Sequence, residues 1–348
     1  MLFVLVSAFA IWALCFGFRV AHRGYWTLFG SFPVSVFLFS LVLPPEGGRL
    51  ILAARETLIP WLVVFGVVTI IWGYRWMLRR LRTQAVVKEE AAAIDAPLFS
   101  ETELNRYARH IVMREMGGAG QKALKEAKVL VVGAGGLGSP VLQYLAAAGV
   151  GTIGVIDDDV VDNANLQRQV IHRDDDIGTA KVFSAQAAMI AQNPFVDVRP
   201  YQRRLTDDIA AELIAEYDLV LDGCDNFETR YLVNKVCVQT QTPLISGALT
   251  QWEGQLSVFD PAKGAPCYQC IFPQAPAPEL APSCSEAGVI GPLPGVVGSM
   301  MAIEAIKVIT GAGAPLRGEM VIYDGLYGES RKITLERRAD CPICSKSE

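Results

Sequence analysis

The stretch KVLVVGAGGLGSP, Lys128 to Pro140, constrains the fold more than any other part of the chain. A run of β-branched residues leads without a spacer into Gly133-x-Gly135-x-x-Gly138, and the small-residue segment SPVLQYLAAAGV follows. The order is strand, tight glycine turn, helix. Such a turn sets backbone N–H groups and a helix N-terminus against phosphate oxygens. By itself it does not say which nucleotide is held.

The same alternation continues downstream. TIGVID, VDVRPYQ, DLVLDG and PLISGA read as strands, with AKVFSAQAAMIAQ, DDIAAELIAEY and ETRYLVNKVCVQT as the helices between them. This predicts an α/β domain with a Rossmann-like, mostly parallel sheet covered by helices on both faces. QLSVFD, EMVIYD and RKITLER come later without a helix between every pair, so antiparallel strands are expected to extend that sheet. Upstream, Ser100-x-x-Glu103 has the spacing of a capping box, which opens a helix continuing as LNRYARHIVMREMG and expected to stop at Gly117-Gly118. A further helix is expected over Val296–Thr310, after a Gly-rich turn.

Polar residues at the strand ends select the nucleotide. Asp157 closes the second strand about 20 residues after the glycine turn, where an acid can accept hydrogen bonds from a ribose hydroxyl. That much fits NAD and ATP equally. Arg168 and Lys181 then bring two cations toward the same sheet edge, more positive charge than a dinucleotide's pyrophosphate needs. Cations there also stabilise charge developing at a transferring phosphorus. Asp222-Gly-Cys-Asp225-Asn226 ends the fourth strand at that edge; a carboxylate beside a polyphosphate calls for a hard cation between them, and Mg²⁺ prefers such oxygen ligands. Each residue alone could be an ordinary cap or loop residue, but together they favour ATP. No acid/base pair for hydride transfer is present, which sets a dehydrogenase aside.

The first 82 residues differ in kind. Three charge-free apolar runs, Leu2–Phe18, Trp26–Leu43 and Thr57–Tyr74, each approach the roughly 17–25 residues that cross a bilayer. The first run lacks the basic flank and small-x-small site of a cleaved signal. Residues 1–83 carry 8 Arg, no Lys and 2 acids, net +6, whereas the rest carries 23 basic and 34 acidic residues, net −11. Arg75, Arg79, Arg80 and Arg82 follow the third run, and the positive-inside rule keeps them in the cytoplasm. The expected organisation is a membrane anchor of about three transmembrane helices over 1–82, a linker over 83–99 and a catalytic domain over 100–348. The anchor would lie in the inner (cytoplasmic) membrane with the domain in the cytoplasm. An acidic body argues against nucleic-acid binding, which needs a basic face.

Eight cysteines complete the inventory. Cys267-Tyr-Gln-Cys270 and Cys341-Pro-Ile-Cys344 are two CxxC pairs whose four thiolates fit a closed tetrahedral zinc site, structural because no ligand position stays open. Redox chemistry would need only one pair. Cys224 and Cys237 read as packing residues. His22, His110 and His172 are scattered and suggest no metal site.

Taken in order, RYARHIVMRE, GAGGLGSP, NLQRQ, GTAK, DGCDNFETR, SGALTQWEGQLSVF, the two CxxC pairs and CSEAGVIGPLPGVVGSMMAIEAIK resemble the MoeB/ThiF/HesA adenylyltransferases of the ubiquitin-activating-enzyme superfamily. The resemblance covers residues 100–345 and leaves the apolar head outside the family pattern. It implies that Gly136 and Asp157 hold the nucleotide. Asn165, Leu166, Gln167 and Arg168 of NLQRQ, with Lys181, match the phosphate-binding set. Asp225, accompanied by Asn226, matches the Mg²⁺-linked aspartate. Arg109 matches an arginine that reaches into the neighbouring protomer's ATP site, which implies a homodimer. Cys284, in the loop before the last helix, matches a cysteine that in some relatives forms a covalent adduct with the carrier. The implied activity is adenylation of the C-terminal glycine of a ubiquitin-like sulfur carrier ending in Gly-Gly. The small subunit of molybdopterin synthase is the leading candidate and the thiamine-pathway carrier the alternative. A non-catalytic or tRNA-related member that merely binds ATP is the reading from another class; retention of Arg109, Arg168, Lys181 and Asp225 together counts against it.

Overall fold

The computed structural model describes residues 66–67, 69–82, 97–276 and 287–345. The chain divides into two units, Met1–Pro97 and Leu98–Glu348. The first two apolar runs, most of the third and residues 83–96 of the linker lie outside the described residues. Within the first unit, residues 69–82 are helical, and Ile70, Trp72, Tyr74 and Trp76 on that helix are all exposed. Among the described residues one helix is long and apolar enough to span a bilayer, Pro292–Thr310, and it is a core helix of the second unit, with Val297, Met301 and Ala305 fully buried.

The second unit opens with α1 (Glu101–Ile111) and α2 (Gly117–Glu126). Then come β1 (Lys128–Val132), α3 (Gly138–Ala148), β2 (Thr152–Ile156), α4 (Lys181–Gln192) and β3 (Asp197–Tyr201). They are followed by α5 (Asp207–Ile214), β4 (Leu219–Asp222), α6 (Phe227–Thr240), β5 (Leu244–Leu249) and β6 (Glu253–Phe259). A short helix α7 (Tyr268–Ile271), the long α8 (Pro292–Thr310), β7 (Glu319–Asp324) and β8 (Glu329–Thr334) complete it. The strands form one eight-stranded sheet in the order β3-β2-β1-β4-β5-β6-β7-β8. Pairing is parallel from β3 through β5 and antiparallel from β5 through β8, as the alternation and its later loss predict.

Both faces of the sheet are covered because its central strands are apolar on both sides. Val129 and Val131 of β1 face a core shared with α3, α4 and α8, while Leu130 and Val132 face a second core shared with α5 and α6. The order 3-2-1-4-5 reverses between β1 and β4, and ligands of open α/β sheets bind outside the strand C-termini at such a reversal.

Two boundaries depart from the sequence expectation. The Ser100 capping box is present, with Ser100 Oγ accepting from the Glu103 N–H at 3.2 Å, but the helix it opens ends at Ile111. Gly117 starts a new helix where a stop was expected; its φ of +59° lets the chain reverse after the Val112–Met116 turn. The turn is fixed from outside, since Gln121 of α2 donates to the Ala148 carbonyl at 2.8 Å and its Oε1 lies 3.1 Å from His110 Nδ1. The last helix begins at Pro292, four residues before the expected Val296, because Pro292 and Pro294 occupy a first turn that needs no N–H donors.

Candidate functional site

The turn from β1 to α3 and the loop after β4 meet at the strand reversal. Gly133 has φ +94°, and a Cβ there would stand 3.2 Å from the carbonyl oxygen of Gly223, the residue after β4. At Gly138 a Cβ would come within 2.0 Å of the Gly133 carbonyl oxygen. Both glycines are therefore demanded by backbone-to-backbone contact. The N–H groups of Gly135 and Gly136 have no acceptor among the described residues, as the first N–H groups of a helix do until a ligand or cap meets them. Gly136 lies against Pro294 of α8 and the stem of Arg168.

The backbone of this turn is pinned from both sides. Asp157 accepts the Ala134 N–H through Oδ2 and the Asp159 N–H through Oδ1, each at 2.8 Å. Burial raises the Asp157 carboxyl above its ordinary range against the pull of those donors and of Lys181. On the other side His172, nearly fully buried, places Nε2 2.9 Å from the Ala134 carbonyl oxygen and Nδ1 2.8 Å from Ser184 Oγ. Ser184 in turn lies 2.7 Å from Asp176 Oδ2. The scattered spacing of the histidines does not point to this contact; only the fold brings residue 172 under residue 134.

The two expected cations both stand beside the cradle. Arg168 donates to Asn165 Oδ1 at 2.7 Å and to the Ala164 carbonyl at 3.1 Å, so the NLQRQ turn holds its own guanidinium. Leu166 is half-buried and Gln167 exposed, with the Gln167 carbonyl against Gly291 at the start of α8. Lys181 is almost wholly buried at the start of α4 and pairs with the exposed Asp159 at 2.7 Å. Its charge is thus held at the site by a carboxylate that solvent also reaches. Gln169, buried in the same turn, has an Oε1 without a hydrogen-bond partner.

The loop after β4 is built on a buried ion pair. Asp222 accepts from Ser246 Oγ at 2.7 Å and from the Cys224 N–H at 3.0 Å, and Arg230 Nε stands 3.3 Å from it. Arg230 also donates to the carbonyls of Cys224 at 2.7 Å and Gly247 at 3.0 Å. These contacts fix residues 222–226, so Asp225 projects as an exposed carboxylate with no ion pair or hydrogen bond among the described residues. Asn226 caps α6, its Oδ1 accepting the Thr229 N–H at 2.9 Å. Asp225 is therefore an uncommitted hard oxygen ligand on a rigid loop, the donor type a Mg²⁺ ion takes beside polyphosphate. Clefts of about 420 and 530 Å³ occur elsewhere on the unit, and neither is lined by Gly133–Gly138, Asp157, Arg168, Lys181 or Asp225.

Arg109 sits exposed in the last turn of α1, with no hydrogen bond or ion pair among the described residues. Leu104, Val112 and Met113, on and just after the same helix, are exposed apolar neighbours. Cys284 lies outside the described residues.

The four CxxC cysteines converge. Sγ–Sγ distances are 3.8 Å for Cys267–Cys270, 3.6 Å for Cys267–Cys341 and 3.4 Å for Cys270–Cys344, and all four are buried. A tetrahedron with Zn–S bonds of about 2.3 Å has edges of about 3.8 Å, so the set could hold one zinc ion. Burial pushes the Cys267 and Cys270 thiols up; Cys341, although desolvated, is brought down to about 7 by the N–H groups of Cys344 and Ile343. Asn234 of α6 donates to Cys267 Sγ at 3.9 Å and accepts the Tyr268 N–H at 2.8 Å, tying the cluster to the sheet. Cys224 and Cys237 are separate, buried and pushed up by desolvation, as packing thiols are.

Known proteins resemble this arrangement. The profile described as the ThiF family matches residues 107–343. A sulfur carrier protein adenylyltransferase of Thermus thermophilus is 49% identical over 250 residues, covering 71% of this chain and 92% of that protein. A SAMP-activating enzyme E1 of Haloferax volcanii is 46% identical over 245 residues, covering 70% of this chain and 90% of that one. Among solved structures, MccB of E. coli with ATP superposes with a TM-score of 0.61 at 26% identity, covering 69% of this chain and 74% of that one.

Proposed function

We propose, from the premise that the chain belongs to the ThiF family, that it is an adenylyltransferase that uses ATP to activate the C-terminal carboxylate of a ubiquitin-like sulfur carrier. The observation that carries this reading is the joint placement, at one strand reversal, of an N–H cradle, two cations and an uncommitted carboxylate. Such a set suits a polyphosphate with a hard cation. The relatives supply the acceptor: their names specify adenylation of sulfur carriers and activation of the kind an E1 performs.

The chemistry asks little covalent work of the protein. One oxygen of the carrier's terminal glycine carboxylate attacks the α-phosphorus of ATP. The bond from that phosphorus to the oxygen bridging to the β-phosphate breaks, and pyrophosphate leaves with the electron pair. No side-chain nucleophile is consumed; alignment and charge neutralisation suffice. The Gly135 and Gly136 N–H groups, Arg168 and Lys181 neutralise the phosphates, and Asp157 receives the ribose hydroxyls. Asp225 would hold Mg²⁺, which when bound neutralises phosphate oxygens. Zinc in the four-cysteine cluster would close the chain's C-terminal end onto α6 and take no part in the reaction.

Within this reading the carrier is the small subunit of molybdopterin synthase. The enzyme is a homodimer in which Arg109 completes the partner's site; the exposed arginine and its apolar surroundings on α1 support this. Residues 1–82 anchor the enzyme in the inner membrane with the catalytic unit in the cytoplasm, a reading that rests on the three charge-free runs, the arginine cluster after them and the exposure of Ile70, Trp72 and Tyr74 at the end of the third run. The test is ATP–pyrophosphate exchange by purified protein with molybdopterin-synthase and thiamine-pathway carriers side by side. Exchange with the first and not the second is expected; exchange with the second alone would reassign the carrier.

A further inference from the structure

We propose that His172 is a positioning residue for the phosphate cradle, and that it takes up a proton when ATP binds. The inference rests on the nucleotide reading above and extends it to a residue that no family motif invoked here assigns.

The geometry is directional. The Ala134 carbonyl and the Gly135 N–H belong to one planar trans peptide and point in opposite directions. His172 Nε2 stands 2.9 Å from that carbonyl, and a carbonyl can only accept, so Nε2 carries a hydrogen. His172 thus grips from behind the same peptide that presents its N–H to the site. A hydrogen bond to one end of a peptide strengthens the donor at its other end. The neighbouring peptide is held by Asp157 through the Ala134 N–H at 2.8 Å, so the turn is fixed on both sides of residue 134.

Behind His172 the chain of hydrogen bonds has one proton too few for a neutral ring. Nδ1 lies 2.8 Å from Ser184 Oγ, and Ser184 Oγ lies 2.7 Å from Asp176 Oδ2. The hydroxyl has a single hydrogen. With His172 neutral it serves either Nδ1 or Asp176, leaving the other contact unbridged. With His172 doubly protonated, Nδ1 donates to Ser184 and Ser184 donates to Asp176, so every link is made. Three charged groups bear on the ring: Asp176 through Ser184 and Asp157 beside the turn favour the charged form, and Lys181 on α4 opposes it. Burial, the largest influence, holds the imidazole below its ordinary value and so neutral in the free enzyme at pH 7. A polyphosphate in the cradle brings several negative charges to the far side of the same peptide, opposes burial, and completes the relay.

The sign follows. Between the lowered value of the free enzyme and the raised value of the complex, binding takes up protons, and ATP binds more tightly as pH falls through that window. The test is titration calorimetry of full-length protein with MgATP in two buffers of different ionisation enthalpy, from about pH 6 to about pH 8. Wild type is expected to take up a substantial fraction of one proton. His172→Gln keeps an N–H donor but cannot be charged; it is expected to bind roughly tenfold more weakly, the effect of losing one charge-assisted hydrogen bond, without proton uptake. Its KM for ATP rises while kcat and the KM for the carrier hold. Ser184→Ala is expected to halve or abolish the uptake while keeping the fold, measured as an unchanged circular-dichroism melt. Equal uptake by wild type and His172→Gln would overturn the inference while leaving the nucleotide reading intact. Absence of any MgATP binding by wild type would remove both.

Discussion

The nucleotide cradle and the four-cysteine cluster are both built by bringing loops together, yet they are built in opposite ways. In the cluster every functional atom is turned inward: the four sulfurs are buried and in mutual contact. In the cradle the Asp225 carboxylate and the Gly135 and Gly136 N–H groups have no partner among the described residues, and buried contacts lie behind them: Asp222 with Arg230, and His172 against the Ala134 carbonyl. The cluster spends its chemistry on the fold. The cradle keeps its chemistry for a ligand and draws rigidity from a second layer. Stability and activity should therefore separate between the two regions, and each substitution below tests that separation.

The largest effect belongs to the cluster. Cys341→Ser, or zinc removal by a chelator, should release the C-terminal end from α6. Structural zinc sites contribute roughly 10–16 kcal/mol in small peptides, and a loss of even a third of that approaches the whole stability of a domain. Thermal unfolding should show a collapse of Tm, with exchange activity lost in the same temperature range and not before. Survival of a full-strength melt after zinc is removed would show that the thiols pack without metal.

Next comes the support layer. Arg230→Met leaves Asp222 charged and buried without its cation, which costs about 3–5 kcal/mol. Denaturant unfolding should read that loss, and MgATP affinity should fall with it because Cys224 and Asp225 lose their footing. The cradle's own ligands should behave in the reverse way. Asp225→Ala should abolish carrier-dependent exchange while shifting stability by no more than about 0.5 kcal/mol, since the side chain is exposed and uncommitted. A large change in Tm for Asp225→Ala would place it in the support layer.

The smallest stability effect is expected at Asp157, with a sign that distinguishes the regions. Its folded-state pKa is raised by burial, so the stability linked to it is present below the unfolded value and lost as pH rises through the folded value. At pH 7 the ionised carboxylate costs the empty enzyme stability. Asp157→Asn removes that charge but can accept only one of the two N–H groups that Asp157 accepts, so Tm should change little in either direction while the KM for ATP rises several-fold. Differential scanning fluorimetry with and without MgATP reads both quantities in one experiment.

Most of the cradle was legible in the sequence, because its residues are named by local pattern. Gly136, Asp157, Asp225 and Asn226 follow strand ends that period and turn chemistry reveal, while Arg168 lies in the connection after β2 and Lys181 opens α4. The layer behind it was not. His172 reads as one of three scattered histidines until the fold sets it under Ala134, 38 residues away in sequence. Arg230 sits inside a motif but reads as a helix residue until β5 brings the Gly247 carbonyl to it. The helix boundaries that differed failed for a related reason: Gly117 was read as a stop, and the contacts of Gln121 with Ala148 and His110 make it a start. The CxxC pairs sit at the other extreme, since two-residue spacing already encodes the liganding geometry and only closure of the sheet had to be added.

If the cradle binds ATP in order to adenylate a carrier's C-terminus, pyrophosphate exchange tests this most directly. Full-length, zinc-replete protein should catalyse incorporation of labelled pyrophosphate into ATP only when a sulfur carrier ending in Gly-Gly is present, and the Asp225→Ala variant, equally folded, should not. Absence of exchange with every such carrier, or exchange undiminished in Asp225→Ala, would contradict the account.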